Sequence, residues 1–340
     1  MAKKDLKWDS IGFNYHQTDK RYVSNYKDGA WDEGRLVDDP NVTINESAGI
    51  LQYCQQVFEG MKAYTWENGE VVCFRPDLNA ERIYNSAQRI EMPPVPKEKF
   101  LDAIDQVVKG NLDWVPPYGS GASLYIRPYE FATGVVIGVK PADTYQFRVF
   151  TTPVGPYYKG GVTPIVLQVS DYDRAAPHGT GAVKAGLNYA MSLHASVLCH
   201  QAGYNENLYL DPGTRTFVEE TGGSNVIFVK DKTVIVPKSD SILPSITRRS
   251  IVYIAEHYLK LKVEERPVKF EEVKGFDEAG CCGTAAVISP VGKIVDHDEE
   301  INFPSGMDHA GPVITELYNT ITGIQNGRIE APEGWIRHIA

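Results

Sequence analysis

The sequence predicts a two-domain protein of mixed α/β (α+β) class. Three observations carry this. The chain has 340 residues, a length that suits two domains at about 150 residues each. Short apolar runs bounded by Gly, Pro and Asn alternate with longer stretches of helical period. A Pro- and Gly-rich stretch at 153–164 is the best linker in the chain. The expected division is a small α/β domain over 1–152, an interdomain loop over 153–164 and a large domain over 165–340.

Residues 20–75 read as β-rich, with runs such as Val71–Phe74 closed by Asn68-Gly69 and Pro76. Asp77 is the expected N-cap of a helix carrying Leu78, Ile83, Ala87 and Ile90. A second helix fits 97–113, with Phe100, Leu101, Ile104, Val107 and Val108 on one face and Pro116 beyond its end. Strands fit 122–131 and 144–152. Past the linker comes a strand at 165–169 and a Gly-rich loop at 179–186. The next helix, near 187–202, has Leu187, Ala190, Met191, His194, Val197 and Leu198 as its apolar face. Strands fit 206–211 and 215–219, then a hairpin with arms at 226–229 and 234–236. A helix over 246–260 starts from Ser245 as N-cap, and a last helix spans about 310–325.

Composition removes several classes of function. Apolar residues at 42% and charged residues at 23% argue against extensive disorder. No apolar run approaches the roughly 18 residues of a membrane helix. The N-terminus has lysines but no apolar stretch behind them, so no signal or transit segment is expected. A net charge of −10 disfavours a nucleic-acid partner. The five cysteines are odd in number and lack a CxxC, so reduced structural thiols and a cytoplasmic location are expected, with no metal site. His178-Gly-Thr-Gly-Ala-Val-Lys184 places lysine where a dinucleotide fingerprint needs its third glycine. Gly292-Lys293 lacks the first glycine of a P-loop, because position 287 is Val.

The chemistry concentrates elsewhere. Lys184 sits among small and apolar residues at a strand–loop–helix junction. A desolvated lysine is what Schiff-base chemistry needs. Glu219 and Glu220 close a strand before a Gly-Gly turn, and successive strand residues face opposite ways, so one of them alone serves a given site. The helix opened by Ser245 offers unpaired N–H groups to an anion. Gly280–Ala286 is a small-residue loop that allows close approach to its backbone. Arg82 adds a guanidinium fork.

The segments Val57-Phe-Glu-Gly-Met-Lys62, Phe74-Arg-Pro-Asp-Leu-Asn-Ala-Glu-Arg82, Tyr125-Ile-Arg-Pro128, Lys184-Ala-Gly-Leu-Asn-Tyr189, Glu220-Thr-Gly-Gly-Ser-Asn225 and Gly283-Thr-Ala-Ala286 occur in this order. Together they resemble the branched-chain amino-acid aminotransferases of the fold-type IV pyridoxal-phosphate class, from about residue 20 to 330. The resemblance implies two domains with pyridoxal 5'-phosphate at their interface and the loop 153–164 as a lid. It implies Lys184 as the Schiff-base lysine and catalytic base, and Glu220 as partner of the pyridine nitrogen. It further implies Tyr189 at the cofactor's 3′-oxygen, with Arg82, the amides of Ile246 and Thr247, and Thr284 as the phosphate cup.

On the substrate side the resemblance implies that the amides of Thr284, Ala285 and Ala286 hold the α-carboxylate. Tyr53, Phe58 and Tyr125 would wall the side-chain pocket, and Arg127 would meet the distal carboxylate of glutamate. The implied reaction is amino transfer between L-leucine, L-isoleucine or L-valine and 2-oxoglutarate, in a homodimer whose partner contributes to the site. One departure from the family is plain. Some animal members carry a CxxC after this Thr-Ala; here the segment is Thr284-Ala-Ala-Val-Ile-Ser289, so thiol redox control is not expected. The residues leave open a D-amino-acid aminotransferase or aminodeoxychorismate lyase of the same fold. A binding protein that has kept the fold without catalysis also remains open.

Overall fold

A computed structural model describes residues 3–155 and 162–340. Half of the expected loop 153–164, residues 156–161 at the centre of the expected lid, therefore lies outside the described residues. The described chain forms two compact units. One takes 3–155, 183–187 and 325–340, and the other takes 162–182 and 188–324. The sequence placed all of 165–340 in one domain. The contacts instead return 183–187, with Lys184, and the C-terminal segment to the first unit. Long-range pairing explains the return of the C-terminus: Ile336–His338 adds an antiparallel strand beside Val71–Phe74.

The first unit is built on a nine-stranded sheet. Its longest ladder joins Ser123–Ala132 to Tyr145–Val154, and both strands came within two residues of their expected bounds. Alternation along Ser123–Ala132 sends Leu124, Ile126 and Glu130 to one face and Tyr125, Arg127 and Tyr129 to the other. Leu124 and Ile126 join Ile83, Phe100, Ile104 and Phe147 in a core free of solvent. Burial of each such side chain contributes about 1.5–3 kcal/mol.

Two helices cover that core. Pro76–Arg89 starts from Arg75 in the left-handed region, with Pro76 in its first turn. Asp77 is thus inside the helix rather than its N-cap. The fixed φ of Pro76 already suits the first helical position, so no capping side chain is needed there. Lys97–Lys109 buries Phe100, Ala103, Ile104, Val107 and Val108. It stops at Gly110 and gives way to a short 3-10 turn at Leu112–Trp114.

The second unit also holds a nine-stranded sheet. Ile165–Val169 pairs in parallel with Glu206–Leu210 and with Val287–Asp296, and antiparallel hairpins extend the sheet. The hairpin Asn225–Lys230/Thr233–Pro237 turns on Asp231 and Lys232, both at positive φ, as a two-residue type I′ turn requires. Leu167, Leu208, Phe228 and Ile294 are central to the core.

Helix Gly186–Gln201 departs from its expected facing. Its buried residues are Asn188, Ser192, Ala195 and Cys199, while Met191, Val197 and Leu198 are exposed, and Leu193 with them. The small side chains allow close approach on the covered side, so the larger apolar ones are left outside. All five cysteines are unbridged. Among the described residues no helix is long and apolar enough to cross a membrane.

Candidate active site

In the first unit, Lys184 is held by its backbone. Its N–H donates to Ser86 Oγ at 3.1 Å, and its carbonyl accepts from Phe58 N–H at 3.0 Å. Ala185 bridges Val57, and Gly186 N–H reaches Gln56 Oε1 at 3.1 Å. The segment is thus stitched to strand Gln56–Phe58. That leaves the half-buried Lys184 side chain over the Phe58 ring, with Nζ 4.8 Å from its centroid.

The face of the sheet opposite the core carries the aromatic and cationic groups. Arg127 lies over Phe58 at 4.9 Å and donates from Nη2 to Tyr125 Oη at 2.8 Å. Tyr125 Oη sits so close to Gly60 that a Cβ there would come within 2.2 Å of it. Phe13 packs edge-on against Tyr125, with centroids 5.6 Å apart. Lys62 stands opposite Tyr125 in the ladder and is buried, which lowers its pKa to about 8. Lys184, Phe58, Arg127 and Tyr125 therefore form one continuous group. Tyr53 does not join it. That residue is exposed at the end of its short helix, and its hydroxyl donates to the Ile137 carbonyl.

Arg82 lies on the same helix as Ser86, one turn earlier. Its Nε and Nη2 each meet a carboxylate oxygen of Glu59 at 2.7 Å. Glu59 is fully buried and also accepts from Asn79 Nδ2 at 2.7 Å. Such a two-point ion pair fixes the plane of the guanidinium.

In the second unit the two strand-end carboxylates part as alternation requires. Glu219 turns to the hydroxyls of Ser239 and Ser241. Glu220 Oε1 accepts from Leu243 N–H at 2.8 Å and pairs with Arg174 Nη2 at 2.7 Å. Glu220 Oε2 accepts from Asn225 Nδ2 at 2.7 Å, across the hairpin in which Glu220 and Asn225 are paired. Burial pushes the Glu220 carboxyl up to about 7, against the downward pull of Arg174. Arg174 is itself buried and also donates to the carbonyls of Gly181 and Ser241.

Ser245 caps helix Ile246–His257 as expected, accepting from Arg248 N–H at 3.2 Å. The amides of Ile246 and Thr247 precede that bond, in the turn where no intrahelical acceptor exists. They are the pair expected to meet an anion. Thr284, Ala285 and Ala286 form the tip of the hairpin between Glu278–Gly283 and Val287–Asp296. Val287 closes that tip at φ +66°, a strained position for a β-branched residue. Tyr189 lies in the first turn of helix Gly186–Gln201 and is half-buried.

Sequence reasoning missed Arg174, Glu59, Phe13 and Lys62. Glu59 and Lys62 lie within the Val57-Phe-Glu-Gly-Met-Lys62 segment, where nothing local sets them apart. Arg174 and Phe13 lie in irregular segments, and only tertiary contacts reveal them.

A pyridine ring bearing a phosphate fits this donor set. Oε2 of Glu220 has two acceptor positions and accepts from Asn225 alone among the described residues, which leaves room for a ring N–H. The start of helix Ile246–His257 suits a phosphate.

The amino-transferase class IV family matches residues 56–294. A branched-chain-amino-acid aminotransferase of Haemophilus influenzae is 49% identical over 339 residues, covering 98% of this chain and 98% of the relative. The crystal structure of Escherichia coli branched-chain amino acid aminotransferase superposes with a TM-score of 0.80 at 28% identity, over 95% of this chain and 100% of that one. A branched-chain aminotransferase of Thermobaculum terrenum in its PLP form gives 0.79 at 27%, over 96% and 100%. The chain belongs to the class IV aminotransferases and, within them, to the branched-chain-amino-acid aminotransferases.

Proposed function

We propose that the protein moves an amino group between L-leucine, L-isoleucine or L-valine and 2-oxoglutarate, with pyridoxal 5'-phosphate as cofactor. The observation that carries the reading is the full-length match at 49% identity together with the buried, pinned Glu220 carboxylate. The PLP form of the Thermobaculum terrenum relative supports the cofactor. Pyridoxal phosphate, when bound, supplies an aldehyde that bonds an amine and a ring that accepts electron density from the substrate Cα.

The protein's own groups do the rest. Lys184 would supply the amine that holds the cofactor and, once freed by the substrate amine, would carry the proton from substrate Cα to the cofactor carbon that bore the aldehyde. Its backbone anchors to Ser86 and Phe58 keep that amine in place. Glu220 would accept the ring N–H, and Arg174 and Asn225 fix its carboxylate for that task. Tyr189 would donate to the 3′-oxygen. The amides of Ile246 and Thr247, the Thr284 hydroxyl and Arg82, whose plane Glu59 sets, would hold the phosphate.

The amides of Thr284, Ala285 and Ala286 take the α-carboxylate. Phe58 and Tyr125 line the side-chain pocket, and Arg127 reads the distal carboxylate of glutamate directly or through Tyr125. Tyr53 is exposed, as are Ile137 and Val139. That exposure supports a homodimer in which this surface is offered to the partner's pocket. Five unbridged cysteines support a reducing, cytoplasmic setting. Replacing Lys184 by Ala tests the assignment. Loss of turnover together with loss of covalent cofactor attachment is expected, and unchanged activity would rule out the mechanism.

A further inference from the structure

Arg21 and Arg148 are buried on the same sheet face as Arg127, with only 2% and 7% of their surfaces exposed. Register puts them together. Arg148 stands opposite Tyr129 on one side and Val23 on the other, and Arg21 is two residues from Val23. Between them lies a half-open cavity of about 140 Å³, lined by Tyr15, Arg21, Pro40, Tyr129, Arg148 and Phe150. A water's share of liquid volume is about 30 Å³, so the cavity has room for one small polyatomic ion.

The two guanidiniums of this cavity bond neutral acceptors. Arg21 donates to the carbonyls of Asp38 and Thr18. Arg148 donates to Gln146 Oε1 at 3.1 Å and to the Asp39 carbonyl at 3.3 Å. Every one of these acceptors is neutral. The nearby carboxylates make their bonds elsewhere: that of Asp38 pairs with Lys20 at 2.6 Å, and that of Asp39 takes the N–H groups of Asn41, which with the more distant Arg148 and Arg21 hold it below the usual carboxylate range. Among the described residues neither guanidinium pairs with a carboxylate. Each spends two of its five N–H donors on protein acceptors. Two cations buried side by side repel and lose hydration, a cost that a chain bears when an anion offsets it. The field is felt locally: burial raises the Tyr129 phenol, while Arg148 and Arg21 pull it back down.

We propose that this cavity is an anion site separate from the amino-transfer centre. It would take a small oxyanion, a phosphate or the carboxylate of a short acid, in the fork between Arg21 and Arg148. Tyr129, Phe150 and Tyr15 form its walls, with Phe150 edge-on to both tyrosines at 6.0 and 5.9 Å.

Titration calorimetry on the cofactor-loaded protein tests this, with inorganic phosphate and acetate as separate probes. Loading keeps phosphate out of the cofactor's own cup. Saturable binding of one probe ion per chain is expected, and the stronger probe identifies the ligand's geometry. Arg148→Met should weaken it by about tenfold or more, the worth of one charge-assisted fork. Arg148→Lys should restore part of it, and the amino-transfer rate should hold in both. If Arg148→Met does not fold, Arg148→Gln gives the same reading. Three results would overturn the proposal: no saturable binding of either probe, equal binding by wild type and variant, or dissociation of the assembled protein by Arg148→Met. The last would assign the arginines to a carboxylate on a second copy of the chain.

Discussion

Glu59 and Glu130 are both fully buried in the first unit, and their surroundings are opposite. Glu59 answers to Arg82 and Asn79. Among the described residues neither carboxyl oxygen of Glu130 has a hydrogen-bond partner, and burial raises its pKa well above the usual carboxylate range. The folded protein therefore keeps a proton on Glu130 at pH values where the unfolded chain has lost it. Between the two pKa values the folded state binds more protons, so stability falls as pH rises through that window. Glu130→Gln removes this component. Denaturant unfolding across pH should show the variant matching wild type in acid and exceeding it at alkaline pH. The gain is about 1.4 kcal/mol for each unit separating the folded and unfolded values. Equal pH slopes would contradict this reading. At this scale the sequence was most legible where the chemistry was local. Ser245 caps the helix it precedes, and Glu220 shares a hairpin with Asn225. Arg174, brought to Glu220 from 46 positions away, leaves no local signal.

Strand Met61–Thr65 enters its sheet through Gly60, and Tyr125 on the neighbouring strand closes over that glycine. Space rather than φ demands glycine here. Gly60→Ala would push a Tyr125 ring that Phe13 packs from one side and Arg127 bonds at its tip. A loss of about 10- to 100-fold in kcat/KM for the amino donor is expected, in line with the cost of displacing a positioning group by about 1 Å. Tyr125→Phe in the same chain should recover part of it, because the clash falls chiefly on the hydroxyl. Steady-state kinetics of the single and double variants check this, and a harmless Gly60→Ala would show that Tyr125 does not shape the pocket. Helix periods were readable from sequence, whereas their caps and facing were only partly so. Pro76 displaced Asp77 as the start signal, and helix Gly186–Gln201 covers its small residues instead of its large ones. Periodicity identifies a stripe but does not say what lies against it.

The whole molecule shows what local pattern cannot encode. Two units are expected, but the return of 325–340 to the first depends on pairing across most of the chain, and that of 183–187 on bonds to strand Gln56–Phe58. The exposed stripe of Met191, Leu193, Val197 and Leu198 belongs to this scale too. So large a run of apolar side chains calls for a covering partner. Sedimentation should find a two-chain species, and Leu193→Asp with Val197→Asp should shift it toward the 37.8 kDa single chain. A monomeric wild type would remove the homodimer. Amino transfer from branched-chain L-amino acids through Lys184 is open to a direct test in a half-reaction. L-leucine is added without a keto acid to the cofactor-loaded protein while the visible absorption is recorded. Loss of the lysine-bound cofactor band, with release of the 2-oxo acid of leucine, is predicted. A band that persists with L-leucine and bleaches with D-alanine would contradict the account.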